Sequence, residues 1–263
     1  MAVTIQAAID TLIAAVPGAP FPDTVDTLKI GDASQPVTGI VTTFLATCAV
    51  IKKAAQLGAN FIIAHEPTFY EHRDTADWIG TNSVVAAKRR LIEQHHLVIW
   101  RFHDTLHSLS PDSTLVGMIH ALGWDAYVAP DKPLVCRIPP IPFGQLALHV
   151  REKLGAPSLR VVGDLDLTCR SVALLPGFPG PDRQIGLLDS PDVDVVITGE
   201  IHEWETSEYA RDAVHLGLKK ALIVTGHAAS EEPGMKWIIP WLQERLPGIP
   251  ITFVPTGSAF QPL

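Results

Sequence analysis

The stretch Phe61-Ile62-Ile63-Ala64-His65-Glu66-Pro67 decides the fold. Four apolar residues in a row, two of them β-branched, read as a strand. The run then ends in an imidazole and a carboxylate. Three more stretches repeat this arrangement. Residues 97–102 run into His103-Asp104-Thr105-Leu106-His107, residues 193–198 into Gly199-Glu200-Ile201-His202, and residues 221–225 into Gly226-His227-Ala228-Ala229-Ser230-Glu231. Open α/β sheets carry their ligand sites at the carboxyl ends of the strands, so parallel and adjacent strands would bring these side chains to one crevice.

Helical segments fill the intervals, as an α/β protein requires. Ile5, Ile9, Leu12, Ile13 and Val16 keep helical spacing and predict an amphipathic first helix. The pattern predicts a strand at 38–43 and a helix at 45–57 closed by Gly58. A helix capped by Ser83 runs to about 96, and another covers 112–122. Pro130, Pro133, Pro139, Pro140 and Pro142 read as a connecting region. Beyond them lie a helix at 143–154, strands at 160–162 and 171–175, a turn at 176–182 and a helix at 205–216. The last helix is expected near Ser230, with Glu231, Glu232 and Pro233 in its first turn and Pro240 kinking or ending it.

Composition narrows the function classes. Among 263 residues, 47% are hydrophobic and 18% charged, as in globular proteins with a buried core. The formal net charge of −8 comes without any basic run, which disfavours nucleic acid as a partner. No stretch of about 18 apolar residues occurs, so no membrane span is expected, and no basic start marks a signal peptide. Cys48, Cys136 and Cys169 are too scattered for a disulfide framework and read as small buried hydrophobes in a reducing, cytoplasmic setting. Met118, Met235 and most of the six tryptophans read as core.

Imidazole and carboxylate together suit zinc, iron or manganese, and a carboxylate can bridge two ions. One closed zinc site needs about four ligands, so the larger number of donors here suits a pair of ions. A single histidine after a strand is usually a hydrogen-bonded loop residue; recurrence at four strand ends carries the inference. His72, His95, His96, His120, His149 and His215 fall on helices or loops and receive no role.

The segments at 58–70, Val196-Ile197-Thr198-Gly199-Glu200 and Gly226-His227-Ala228-Ala229-Ser230-Glu231 resemble, in order, the Nif-three-like family, whose members are often labelled GTP cyclohydrolase 1 type 2. The resemblance spans nearly the whole chain. It implies a two-lobed α/β fold, each lobe a mixed sheet flanked by helices. Residues 1–125 with 220–263 would form a discontinuous metal-binding lobe, and 126–219 the second. It also implies a toroidal homohexamer and two metal ions per subunit. The family's His-His-Pro stands here as His65-Glu66-Pro67, and its His-Thr-Asn-Leu-Asp as His103-Asp104-Thr105-Leu106-His107. The implied ligands are therefore His65, Glu66, His107, His227 and Glu231. One histidine has become Glu and one aspartate His, a reciprocal swap that keeps three imidazoles and two carboxylates, with Glu66 or Glu231 bridging. Asp104 becomes a supporting group. Glu200, His103 and His202 are the candidates for proton transfer. The expected activity is cyclohydrolase-like hydrolysis of a small, nucleotide or heterocyclic substrate. Phosphoester cleavage and a non-enzymatic, metal-binding regulatory role are the rivals.

Overall fold

The computed structural model describes residues 2–261. In chain order the elements are α1 (Ile5–Ala14), β1 (Leu28–Ile30), β2 (Ile40–Thr43), α2 (Cys48–Gln56), β3 (Phe61–Ala64), α3 (Ser83–Gln94), β4 (Val98–Arg101) and α4 (Asp104–His107). Next come α5 (Ser113–Leu122), β5 (Val128–Ala129), β6 (Lys132–Pro142), α6 (Phe143–Lys153), β7 (Arg160–Val162), β8 (Thr168–Leu175), α7 (Pro181–Asp189) and β9 (Val195–Thr198). The chain ends with α8 (Glu208–His215), β10 (Ala221–Val224), α9 (His227–Trp237), α10 (Ile239–Arg245) and β11 (Ile251–Phe253). No helix among the described residues is long and apolar enough to cross a membrane.

Two compact units divide the chain: Met1–Ser113 with Met235–Thr256, and Thr114–Gly234 with Gly257–Leu263. The first holds a five-stranded sheet in the order β1-β4-β3-β2-β11, parallel except for β1. Its central strands alternate between two cores. Phe61, Ile63, Val98 and Trp100 meet Ile5, Ile9 and Leu12 of α1 and Leu242 of α10. Ile62, Ala64 and Ile99 meet Val50 and Ile51 of α2 and Val85 and Ile92 of α3. Both faces are covered, which is why β3 is apolar at every position.

The second unit holds a six-stranded sheet, β5-β6-β8-β9-β10-β7, in which β8, β9 and β10 run parallel. Val195, Ile197 and Ile223 pack on α5 and α6, through residues such as Met118 and Phe143. Val196, Leu222 and Val224 pack towards Leu188 of α7 and Ala210 of α8.

Several expectations change. The four His- and carboxylate-bearing strand ends belong to two sheets, β3 with β4 and β9 with β10, rather than to one edge. Strand β10 hydrogen-bonds between β9 and β7, so residues 220–234 lie in the second unit instead of the first, as do residues 114–125. Residues 1, 262 and 263 of the lobe boundaries expected above lie outside the described residues. Four of the five prolines, Pro133, Pro139, Pro140 and Pro142, lie in the 11-residue strand β6, and Pro130 is in the turn before it. The register of β6 with β8 shifts between Arg137 and Ile141, so Pro139 and Pro140 sit in a bulge where the ladder needs no N–H from them. The cap of α3 is Asn82, whose side chain accepts from the N–H groups of Val84 and Val85, and Ser83 is the first helical residue. Helix α9 starts at His227, earlier than Ser230, and takes Pro233 into its interior. Pro240 does break the helix: α9 ends at Trp237 and α10 begins at Ile239. Cys48 is exposed, while Cys136 and Cys169 are buried, and burial pushes their thiols up to about 11 and 12. Trp100 and Trp124 lie in the cores, but Trp78, Trp204 and Trp237 are exposed.

Candidate metal centre

In the first unit the chemistry follows from register. Ala64 of β3 stands opposite Arg101 of β4, so the residues that leave the two strands emerge side by side. His65, His103 and His107 converge there, with ring nitrogens within 4.8 Å of one another. His103 precedes the single helical turn α4 and His107 closes it, so the short turn sets both rings against His65, at centroid separations of 4.6 and 4.9 Å. The turn is anchored by Asp26, whose carboxylate accepts from the backbone N–H groups of His103 (2.6 Å), Asp104 (3.0 Å) and Thr105 (2.7 Å). These are the donors that a helix start leaves without intrahelical acceptors.

Each of the three rings has its Nδ1 against an oxygen: His65 on Phe102 O (3.2 Å), His103 on Asp104 Oδ1 (2.9 Å) and His107 on Asp112 Oδ2 (2.9 Å). A carbonyl oxygen only accepts, so His65 carries its proton on Nδ1 and the lone pair on Nε2. Carboxylate acceptors fix the same tautomer on the other two. Oxygen backing of this kind orients and strengthens imidazole ligands of metals. Burial first, and then the neighbouring His65 imidazole, push His103 down to about 3, so it is neutral at physiological pH, the form in which a histidine binds a metal. Asp104 is disfavoured as an anion by its burial. Hydrogen bonds from His103, the Val25 N–H and the Thr24 hydroxyl outweigh that and hold it down at about 2.

Glu66 sits at the edge of this group, Oε1 3.8 Å from His103 Nε2 and Oε2 3.0 Å from Arg101 Nη2. Arg101 is fully buried at the end of β4 and also donates to the carbonyls of His65 (2.9 Å) and His72. One guanidinium thus ties the start of the loop that follows β3 to its middle. The donor set, three tautomerically fixed imidazoles and a carboxylate, fits a divalent ion of the zinc–iron–manganese class.

In the second unit, β9 and β10 are again parallel neighbours, with Thr198 opposite both Val224 of β10 and Leu175 of β8. Glu200 and His227 therefore leave adjacent strands, with Glu200 Oε2 3.4 Å from His227 Nδ1. His227 and Glu231 face each other across the first turn of α9, Nε2 to Oε2 at 3.0 Å. The hydrogen bond from His227 holds the Glu200 carboxyl below its ordinary range. Gly177, after β8, explains how the backbone comes so close. A Cβ there would stand 2.2 Å from Glu231 Oε1 and 3.2 Å from His227 Nε2, and φ is +68°. Only glycine leaves this cradle open. Ser230 locks it, its Oγ accepting from the Gly177 N–H (3.0 Å) and donating to the His227 carbonyl (2.6 Å).

Of the residues singled out from sequence, His65, Glu66, His103 and His107 follow strands of the first sheet, and Glu200, His227 and Glu231 follow strands of the second. His103 lies among the imidazoles rather than apart from them. His202 stands on the Glu200 loop, its Nδ1 2.7 Å from Glu205 Oε2. The supporting residues Asp26, Arg101, Asp112 and Gly177 were not singled out. Only Arg101 leaves a trace, as a cation at the end of the apolar run Val98-Ile99-Trp100-Arg101.

The sequence model of the family Duf34/NIF3 (NGG1p interacting factor 3) matches residues 25–258. A Clostridium perfringens protein named GTP cyclohydrolase 1 type 2 homolog is 25% identical over 235 residues, 83% of each chain. The crystal structure of a Staphylococcus aureus hypothetical protein superposes with a TM-score of 0.76 at 18% identity over all of both chains. A Bacillus cereus protein related to NIF3 gives 0.74 at 17% identity, over 100% of this chain and 99% of that one. The fold agrees throughout, and the family match covers most of the sequence: this chain belongs to the Duf34/NIF3 family.

Proposed function

We propose that this chain is a cyclohydrolase-like, metal-dependent hydrolase that takes up two divalent ions of zinc, iron or manganese and acts on a small nucleotide or heterocyclic substrate. The proposed donors are His65, Glu66, His103 and His107 in the first unit and His227 and Glu231 in the second. One observation carries this reading: three imidazoles share a cluster, and each has its Nδ1 committed to an oxygen acceptor, so that every ring presents the Nε2 lone pair. Rings backed in this way are built to bind a cation. The names of relatives as GTP cyclohydrolase 1 type 2 homologs support the reaction class.

A bound divalent ion supplies Lewis acidity, acidifying water and polarising the substrate's electrophilic group. The chain's own residues do the rest. His65, His103 and His107 hold fixed positions through Phe102, Asp104 and Asp112. Glu200, kept ionised by His227 and half-exposed, is placed to accept a proton and return it to a leaving group. The chain works as a cytoplasmic homohexamer on this reading, and light scattering at micromolar concentration checks the assembly.

Protein purified without chelators should carry about two equivalents of metal, five or more donors exceeding what one ion needs. Glu66→Ala should lower that content more than Asp104→Ala, because Asp104 acts through His103. A panel of cyclic amidines, nucleotides and phosphoesters should show metal-dependent hydrolysis. Folded protein that neither contains nor reloads metal would refute the proposal. Full metal content without hydrolysis of any class would make the chain a metal-binding protein instead.

A further inference from the structure

Residues 199–207 of the second unit hold a feature that metal binding leaves unused. His202 and Trp204 stack, with ring centroids 4.8 Å apart and planes inclined by 10°, and Phe178 flanks His202 at 4.9 Å with its plane tilted by 47°. The group ends in solvent, since Trp204 is 72% exposed and Phe178 40%. A single exposed aromatic needs no explanation. A rigid group of three does, and the surroundings make it rigid. Glu205 fixes the His202 ring through Nδ1. Residues Glu203–Ser207 wind as a π-turn, a distortion common at functional sites. The fully buried Gln184 clamps the segment from beneath. Its Nε2 donates to Thr198 Oγ1 (3.1 Å) and the Glu200 carbonyl (2.7 Å), and its Oε1 accepts from Thr206 Oγ1 (2.7 Å).

We infer that Phe178, His202 and Trp204 form a stacking platform for an uncharged, planar heteroaromatic ring that carries N–H donors. The open indole face offers area at little entropic cost, as aromatic platforms for bases do. The charge of the segment selects the ring. Glu200, Glu203 and Glu205 are carboxylates on this one loop, with Arg160 committed to Glu203, so the platform favours edges that donate hydrogen bonds and repels free anions. Glu200, already in contact with His227, lies on the same clamped loop as the indole. That the stacked ring is the substrate rests on the hydrolase reading; the stacking itself needs no metal.

The test is a titration with 2-aminopurine riboside, an uncharged purine with an exocyclic amine, whose emission is quenched on stacking. Both metal-free and metal-loaded full-length protein should quench it saturably. Trp204→Ala should weaken binding about tenfold or more, the loss seen when a stacking aromatic is removed, while Trp204→Phe stays within about threefold. Absence of saturable quenching, or equal binding by Trp204→Ala, overturns the proposal. So does a Trp204→Ala variant that binds the probe normally but has a smaller mass by light scattering, since the indole is then a contact between copies. Metal-free quenching that survives in a protein with no hydrolytic activity upholds the platform while the hydrolase reading falls.

Discussion

The two clusters lie at equivalent places, the carboxyl edges of parallel strands, and are held by opposite means. In the first unit the loop after β3 is pinned by buried cations. Arg101 ties Glu66 and the carbonyls of His65 and His72, and Lys88 donates to the Thr68 carbonyl at 2.6 Å. In the second unit the loops are pinned by neutral groups at close range, namely Gly177, Ser230 and Gln184. The side chains gathered differ in the same sense: three imidazoles and Glu66 in the first, and His227 with the carboxylates of Glu231 and Glu200 in the second. Nitrogen-rich sites favour zinc and its neighbours, and oxygen-rich sites favour harder ions such as manganese. Charge therefore secures the nitrogen cluster, and shape secures the oxygen-rich one.

Arg101→Met is the most severe way to break this comparison. It leaves the Glu66 carboxylate and two carbonyls without their buried donor, and breaking a buried pair from one side costs about 3–5 kcal/mol. Chemical denaturation should show that loss, and on the proposed function the metal content should fall with it. Unchanged stability would mean that the guanidinium is incidental to the first cluster. Gly177→Ala makes the converse cut. A Cβ 2.2 Å from Glu231 Oε1 at a φ of +68° must displace the carboxylate or strain the turn, for about 1–3 kcal/mol. On the proposed function the metal content should fall here as well. A Gly177→Ala protein with both equivalents retained would show that shape does not secure that cluster.

The same contrast governs what the sequence could reveal. Strands β3, β4, β9 and β10 were legible because helices cover both sheet faces and force unbroken apolar runs, each ending in the residues that bear the chemistry. That the runs belong to two sheets was not legible. It depends on β7 and β8, whose pairing with β10 and β9 leaves no local mark. Strand β6 was hidden because its prolines, which normally argue against a strand, sit at a register shift. Within the clusters, the donors could be found by residue type. Asp26 could not, because it caps α4 from 77 residues away in sequence. In the sequence His103 reads as a proton carrier, because it follows a strand feeding the same edge as the ligand candidates. Three tautomers fixed by three oxygens are a property of space, so its place beside His65 and His107 emerges only in three dimensions.

The smallest expected effect concerns the second buried cation, and it sharpens the comparison through pH. Lys88 is 1% exposed, and its ammonium lies 4.8 Å from the centre of the Tyr70 ring. Burial is the largest influence on it and lowers its pKa from 10.5 to about 8, against the weaker pull of Cys48 and Asp74. The sign follows from proton binding. Below about pH 8 the lysine is charged in both folded and unfolded chains, and the full cost of burying the charge is present. Between about 8 and 10.5 the folded chain has lost the proton while the unfolded chain keeps it, so this cost is relieved and stability rises with pH. From pH 7 to pH 9 the relief should be about 1 kcal/mol, a fraction of the full shift at 1.36 kcal/mol per unit. Lys88→Met has no proton to lose. It forfeits the hydrogen bond to Thr68 at every pH, so its stability measured by denaturation should lack the alkaline rise relative to the unmodified chain, whatever its absolute value. Other groups titrate alike in both proteins and cancel in the difference. If the two curves stay parallel from pH 7 to 9, Lys88 bears no buried charge at neutral pH. The first unit would then rest on Arg101 alone.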